Sequence, residues 1–320
     1  MSKLKFTNLF AALVLIPLFF SFGFAQKTNK KQTGGRVRTM TIPISIFTKE
    51  EKKERQYQEF VEVGDLTVEE DGDEQVILSI RSVSNTPLAL AVLIQDDLTT
   101  NANLQLKSIA DFIKNLPKGS RVMVAYLRAG TIQVRQKFTD DLEKAADSLR
   151  IIIGNPAVAP NSPYIGVEEA IKRFDALPAG RRAILLVSDG LDISRGFESS
   201  SPTQSLDLDQ AILKAQQKSV AVYSFYNAAS FTEGGNPRLV LNAQGSLNRL
   251  SEETGGRAYF QGTISPISFD PFFRDLGGLL NRQFALTYLS THMKKGYHKV
   301  EVISTNPKVK IDHPKGYYYK

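Results

Sequence analysis

The chain has no cysteine and no tryptophan among its 320 residues. Without cysteine there can be no disulfide, no thiolate metal ligand, no cysteine nucleophile and no lipid-modified cysteine anchor. Histidine is scarce: the only three are His292, His298 and His313. Their spacing matches no common zinc motif and no H-E-x-x-H occurs, so they read as scattered surface residues of the terminal strands. G-x-S-x-G, G-x-x-x-x-G-K-[ST] and G-x-G-x-x-G are all absent, which removes the usual marks of hydrolases, nucleotide-hydrolysing enzymes and dinucleotide enzymes. Beyond the first 25 residues no apolar run is long enough to span a bilayer.

What the amino terminus does have is an export pattern. Lys3 and Lys5 precede an apolar run over residues 9–20, and Gly23-Phe24-Ala25 supplies small residues before Gln26. Residues 1–25 therefore read as a signal peptide cleaved before Gln26, which predicts a periplasmic or extracellular protein with no transmembrane span in the mature chain. An uncleaved anchor is the competing reading.

The net charge of +7 invites a nucleic-acid partner, but its distribution argues against one. Lys3, Lys5, Lys27, Lys30, Lys31, Arg36 and Arg38 account for the whole excess, and the first 40 residues contain no acid. The remainder is neutral overall. Residues 26–40 read as a flexible basic leader rather than a binding face, and no nucleic-acid function is expected.

With 42% hydrophobic and 23% charged residues the rest is ordinary for a globular protein, which excludes wholesale disorder. Residues 41–86 read as β structure, with strands over 41–47, 59–63 and 74–82 and an Asp71-Gly72 hairpin turn. From Leu88 the rhythm changes. The continuous run LALAVLIQ suits a strand buried on both faces. Leu106, Ile109, Ala110 and Ile113 then share one helix face. RVMVAYLR and TIQVRQKF flank Ala129-Gly130 as a hairpin. Further alternation follows through AILLV at 183–187, strands over 219–226 and 257–260, and a last helix over 272–282. Strands over 284–290 and 299–304 close the chain. This predicts an α/β fold, Rossmann-like and doubly wound, with a mainly parallel sheet over 87–282. The terminal segments 41–86 and 283–320 are expected to pack together as a small β module, since neither holds a core alone.

Two strand ends carry acids. Gln95-Asp96-Asp97-Leu98-Thr99-Thr100-Asn101 follows the first parallel strand, and Ser188-Asp189-Gly190-Leu191-Asp192 follows AILLV. If those strands are neighbours, carboxylates and hydroxyls converge where open α/β sheets bind ligands. Such oxygens suit a hard cation such as Mg²⁺, Mn²⁺ or Ca²⁺.

These segments, with the hairpin RVMVAYLRAGTIQVRQKF and the later TGGRAYF, resemble the von Willebrand factor type A domain. DLTVEEDGDEQ before them and YHKVEV and HPKGYYY after them resemble a secreted bacterial branch first grouped from Acidobacteria. The resemblance covers residues 41–319 and implies a metal-ion-dependent adhesion site of the form Asp-x-Ser-x-Ser, a Thr in a later loop and an Asp after the fourth strand. Asp189 matches the last position. The first motif departs from the pattern and can be set in three registers: Asp97-x-Thr99-x-Asn101, Asp96-x-Leu98-x-Thr100, or Gln95 leading Asp97 and Thr99. In the later loop Pro163 stands where Thr is expected, with Ser162 as a substitute. The metal candidates are thus Asp96, Asp97, Thr99 and Asp189, with Ser162 a further ligand, for Mg²⁺ or Mn²⁺; a degenerate site holding no metal is the alternative.

The expected function is non-enzymatic binding of a protein or cell-surface polymer through the carboxyl-end rim. Two long polar stretches, 193–206 and 227–239, are expected to form recognition loops there. A metal-dependent hydrolase using Asp97 and Asp189, and a structural envelope component without a separable ligand, are the competing readings.

Overall fold

Alternating burial marks the first strands. In the computed structural model, which describes residues 36–48, 66–153, 162–178, 180–233 and 236–319, β1 spans Arg38–Thr48, β2 Leu66–Glu70 and β3 Asp73–Ser82. Asp71 and Gly72, between β2 and β3, have φ of 53° and 89°. Paired positive values of this kind let a two-residue turn match the strand twist. β1 begins at Arg38 rather than at residue 41, because Arg38 already pairs with Ser290 across the sheet. The signal-peptide segment 1–25 and the strand expected over 59–63 lie outside the described residues.

The α/β part follows in chain order as β4 (Leu88–Gln95), α1 (Leu106–Lys114), β5 (Arg121–Arg128), β6 (Thr131–Thr139), α2 (Leu142–Asp147), α3 (Pro163–Arg173), β7 (Arg181–Ser188) and α4 (Leu206–Lys218). It continues through β8 (Val220–Tyr226), α5 (Ser230–Glu233), α6 (Pro237–Thr254), β9 (Ala258–Tyr259) and α7 (Asp270–Asn281). The strands form a six-stranded sheet in the order β6-β5-β4-β7-β8-β9, parallel except for β6. β4 shows why its sequence is apolar throughout. Leu88, Leu90, Val92 and Ile94 pack with Ile109 and Ile113 of α1 and Phe273 and Leu276 of α7. Ala91 and Leu93 pack on the opposite face with Val167 of α3, Leu208 of α4 and Leu247 of α6. Helices thus cover both faces, and a polar residue in β4 would be buried whichever way it pointed.

Strand order reverses between β4 and β7. From β4 the chain moves outward to β5 and β6, then returns to β7 and moves the other way. The crossovers leave a crevice at the carboxyl ends of these two strands.

Both chain ends build the second sheet. β10 (Gln283–Ser290), β11 (Gly296–Ser304), β12 (Val309–Asp312) and β13 (Gly316–Tyr319) join the first three strands in the antiparallel order β12-β1-β10-β3-β2-β11-β13. β11 and β12 are consecutive in the chain yet stand near opposite ends of this order, so the sheet curls on itself. Ile42, Ile44, Val68, Leu286, Tyr288 and Val302 fill its interior.

The stretch 227–239 is not one long loop. α5 occupies Ser230–Glu233 and α6 begins at Pro237, where the Asn236 side chain accepts from the Arg238 N–H at 3.1 Å. Asn at the cap followed by Pro in the first turn is a helix start. The preceding Gly-Gly hides it in the sequence.

Candidate functional site at the carboxyl ends of β4 and β7

Gln95 is the last residue of β4 and only 4% exposed. Its Oε1 accepts from the Ser188 hydroxyl and from the Asp189 N–H at 3.2 Å, joining the ends of β4 and β7. An amide thus holds the place nearest Asp189 on β4, where it contributes a neutral oxygen.

Asp96 turns elsewhere. Its Oδ2 accepts from Arg150 Nη2 at 2.8 Å, and the Arg150 guanidinium lies 4.0 Å from the Tyr126 ring centroid. The Tyr126 hydroxyl is itself held by the Arg150 backbone, donating to its carbonyl and accepting from its N–H. Asp96 is therefore part of an ion pair that fastens the segment after α2 to β5. Leu98 is fully buried and bridges Ala229, so the register with Leu98 at a ligand position offers no oxygen there. Thr100 and Asn101 are exposed in the 3-10 turn that follows.

Asp97 and Asp189 face one another electrostatically. Burial, and after it the Asp97 carboxylate, push the Asp189 pKa up to about 7, against the opposing pull of bonds from Leu191, Gln95 and Thr232. Asp189 is 3% exposed. Its Oδ1 accepts from the Leu191 N–H at 3.1 Å, and its Oδ2 lies 3.3 Å from the Thr232 hydroxyl. The adjacent Gly190 has φ of +75°, and a Cβ there would meet Leu247 and the Ala243 carbonyl of α6. From the other side the Tyr164 hydroxyl donates to the Gly190 carbonyl at 2.6 Å. The Asp189 turn is thus clamped between α3 and α6.

Two hydroxyls complete the rim. The Thr99 N–H donates to the Ala228 carbonyl at 3.0 Å, which ties the loop after β4 to the segment carrying Thr232. Ser162 stands at the amino cap of α3, two residues before Tyr164, but its side chain makes no capping bond. Thr99 Oγ1 and Ser162 Oγ are both buried and have no hydrogen-bond partner among the described residues. Buried hydroxyls are normally bonded, so each of these is open to a further partner. Two carboxylates and two such hydroxyls are an all-oxygen donor set, and they fit a hard divalent cation. Among the described residues no group of three or more His, Asp or Glu side chains is arranged to hold a metal ion, so a cation here would depend on the hydroxyls.

Thr232 is the functional-site residue that the motif spacing did not reveal. Its only sequence signal is a hydroxyl shortly after strand β8, and the bond to Asp189 crosses 43 positions. Asp192, the other acid of the segment after β7, is 4% exposed and caps its own loop, accepting from the Ser194 N–H and the Ser205 hydroxyl.

The histidines are not scattered on the surface. His298 and His313 are each 4% exposed. His292 Nδ1 and His298 Nδ1 stand 3.6 and 3.7 Å from Oε1 of the fully buried Glu70. That oxygen also accepts from Ser290 at 2.8 Å and Tyr317 at 2.5 Å. The group joins β2, β10, β11 and β13 and belongs to the architecture of the curled sheet.

No protein-family profile matches the chain, and no curated protein matches it. Among solved structures the chain is similar to an aerotolerance-related membrane protein from Bacteroides fragilis NCTC 9343, at 11% identity over 61% of this chain and 98% of that one, with a TM-score of 0.42. It is similar to BatB from Bacteroides thetaiotaomicron, at 12% identity over 59% and 95%, with a TM-score of 0.41. A von Willebrand factor type A structure from Catenulispora acidiphila gives 10% identity over 77% and 74%, with a TM-score of 0.43. The site described above stands on this chain's own strand order and contacts. No helix among the described residues is long and apolar enough to cross a membrane.

Proposed function

We propose that the chain is an exported, non-enzymatic binding protein of von Willebrand A-like design. It recognises a protein or a surface polymer with the rim at the carboxyl ends of β4 and β7. A divalent cation, Mg²⁺ or Mn²⁺, bridges the two through Asp97, Thr99, Ser162 and Asp189. The observation that supports this reading is the repulsion between the Asp97 and Asp189 carboxylates, together with the buried hydroxyls of Thr99 and Ser162, which have no partner among the described residues. A cation satisfies all four groups at once. With only two formal negative charges from the chain, such a cation keeps charge and coordination positions for an acidic group on the partner. Asp96 serves the fold through Arg150, and Gln95 positions Asp189.

The test is a thermal melt of the purified chain in EDTA and then in Mg²⁺, Mn²⁺ or Ca²⁺, repeated with Asp97→Ala and Asp189→Asn. A ligand at 100 times its dissociation constant stabilises by about 2.7 kcal/mol. A cation-dependent rise lost in both variants is the expected result, and no rise with any cation would sink the cation-bridged reading. Turnover of generic phosphoester or ester substrates, lost with Asp97→Ala, would instead favour the hydrolase.

A further inference from the structure

At the opposite end of the six-stranded sheet, the amino ends of β4 and β7 border a cavity of about 400 Å³ between α1 and α7. Its apolar lining comes from Leu88, Phe112, Leu116, Phe273 and Leu280. Phe112 and Phe273 stack with ring centroids 4.7 Å apart. A volume of this size, mostly apolar with a few placed polar groups, is what small-molecule sites have.

Arg181, the first residue of β7, also lines the cavity. Every hydrogen-bond acceptor around its guanidinium is neutral. Nε donates to Gln283 Oε1 at 2.8 Å, Nη1 to the carbonyls of Val83, Ser84 and Thr86, and Nη2 to the Leu280 carbonyl at 2.9 Å. No carboxylate pairs with it among the described residues, and burial pushes its pKa below the ordinary arginine value. The five contacts fix the planar group but leave one Nη2 hydrogen unused and the charge uncompensated. A largely buried cation without a counter-ion is costly, and an anion arriving at that hydrogen would offset the cost. Arg274, Asp111 and Asp270 also line the cavity, and neither acid is paired with Arg181.

Space has also been left on the helix side. Gly277, in the middle of α7, lines the cavity, and a Cβ at that position would meet nothing within 4 Å. Glycine inside a helix is unfavourable relative to alanine, so the open wall is not required by helix packing.

We infer that this cavity is a binding site for a small amphipathic carboxylate, whose acid group meets Arg181 and whose hydrocarbon lies on the Phe112–Phe273 pair. The site lies at the end of the sheet remote from the Asp97–Asp189 rim and does not depend on a cation.

Calorimetric titration of the purified protein in EDTA with decanoate below its micellar concentration, and with decanol below its solubility limit, tests this. Saturable one-to-one binding of decanoate, at least tenfold tighter than decanol, is expected. Gly277→Phe, whose Cβ would meet no atom within 4 Å and whose ring would occupy the cavity, should abolish it while leaving the protein folded. Arg181→Met should reduce decanoate affinity to that of decanol. If that variant does not fold, the comparison of the two ligands on the unaltered protein and on Gly277→Phe decides the matter. Absence of decanoate binding, equal affinity for both ligands, or full retention of binding in Gly277→Phe would each overturn the inference.

Discussion

The Thr232 hydroxyl lies 3.3 Å from Asp189 Oδ2, so the loop after β8 supplies a partner to the acid at the end of β7. That single bond, with one more from the Leu191 N–H, is modest company for a carboxylate that is 3% exposed and close to Asp97. The turn is built to hold a charge that it does not itself neutralise.

Asp189 should therefore make stability depend on pH in the direction opposite to most acids. Its pKa rises from 3.8 to about 7 on folding. The folded chain then holds an extra proton across that window, and stability present at acid pH is lost as pH climbs through it. Three units correspond to an upper bound on the order of 4 kcal/mol. In EDTA, the unaltered protein should melt several degrees lower at pH 8 than at pH 5. Asp189→Asn, which keeps an acceptor for Leu191, should remove that difference. Parallel melting curves for the two proteins at both pH values would contradict the assignment.

The neighbouring acids Asp96 and Asp97 should separate cleanly. Asp96→Ala strips Arg150 of its partner while the guanidinium stays only 25% exposed, and should cost about 1–3 kcal/mol in urea unfolding. Its response to cations should survive. Asp97→Ala removes a repulsion felt by Asp189 and should eliminate the cation response. Equal effects of the two substitutions on both readouts would mean that the loop acts as one unit.

Much of this arrangement was legible because burial on both faces writes itself into composition. LALAVLIQ and RVMVAYLR coincide with β4 and β5 as read from the sequence, since a strand covered by helices on each side is apolar along most of its length. The Asp71-Gly72 turn was equally plain, because few residue pairs accept two positive φ values, whereas Ala129-Gly130 was legible only from the two strands that flank it. The start of α6 was missed because Gly-Gly masks the Asn-Pro cap behind it. At the site, strand-end acids announced Asp189, but no periodicity could tell which of Asp96 and Asp97 turns toward it. That choice is made by Arg150, 54 positions away. The clustering of His292 and His298 about Glu70 was invisible for the same reason, since it depends on sheet order rather than spacing.

Gly190 should tolerate no side chain. Its φ of +75° is already strained for alanine, and the added Cβ would sit 2.4 Å from Leu247 Cγ and 2.7 Å from the Ala243 carbonyl. The backbone carbonyl cannot move without disturbing α6. Gly190→Ala should cost about 2 kcal/mol or more, and should shift the Asp189 turn enough to abolish the cation response. Chemical denaturation gives the first quantity and the melt in Mn²⁺ the second. A variant that keeps both unchanged would show that the turn is looser than its clamped geometry.

The two chain ends should prove inseparable. Removing everything after Arg282 deletes β10 to β13 and leaves β1 without either of its neighbours, β10 and β12. Ile42, Ile44 and Val68 would lose the cover of Leu286, Tyr288 and Val302. Arg181 would lose Gln283, and Glu70 would lose Ser290 and Tyr317 while remaining apolar-packed. The truncated chain should aggregate or leave residues 36–48 and 66–86 unprotected in hydrogen exchange. Glu70→Ala offers a milder version in the full chain. It leaves Arg38, His292 and Tyr317 facing an empty place and should cost about 3–5 kcal/mol, the penalty for breaking a buried polar group by removing one partner. The cation response at the far rim should persist in Glu70→Ala at temperatures where it stays folded, because the Asp189 side chain is held by Leu191 and Thr232 of the rim itself. A truncated chain that unfolds cooperatively and protects residues 66–82 would show that the amino-terminal strands need no help from the carboxyl terminus.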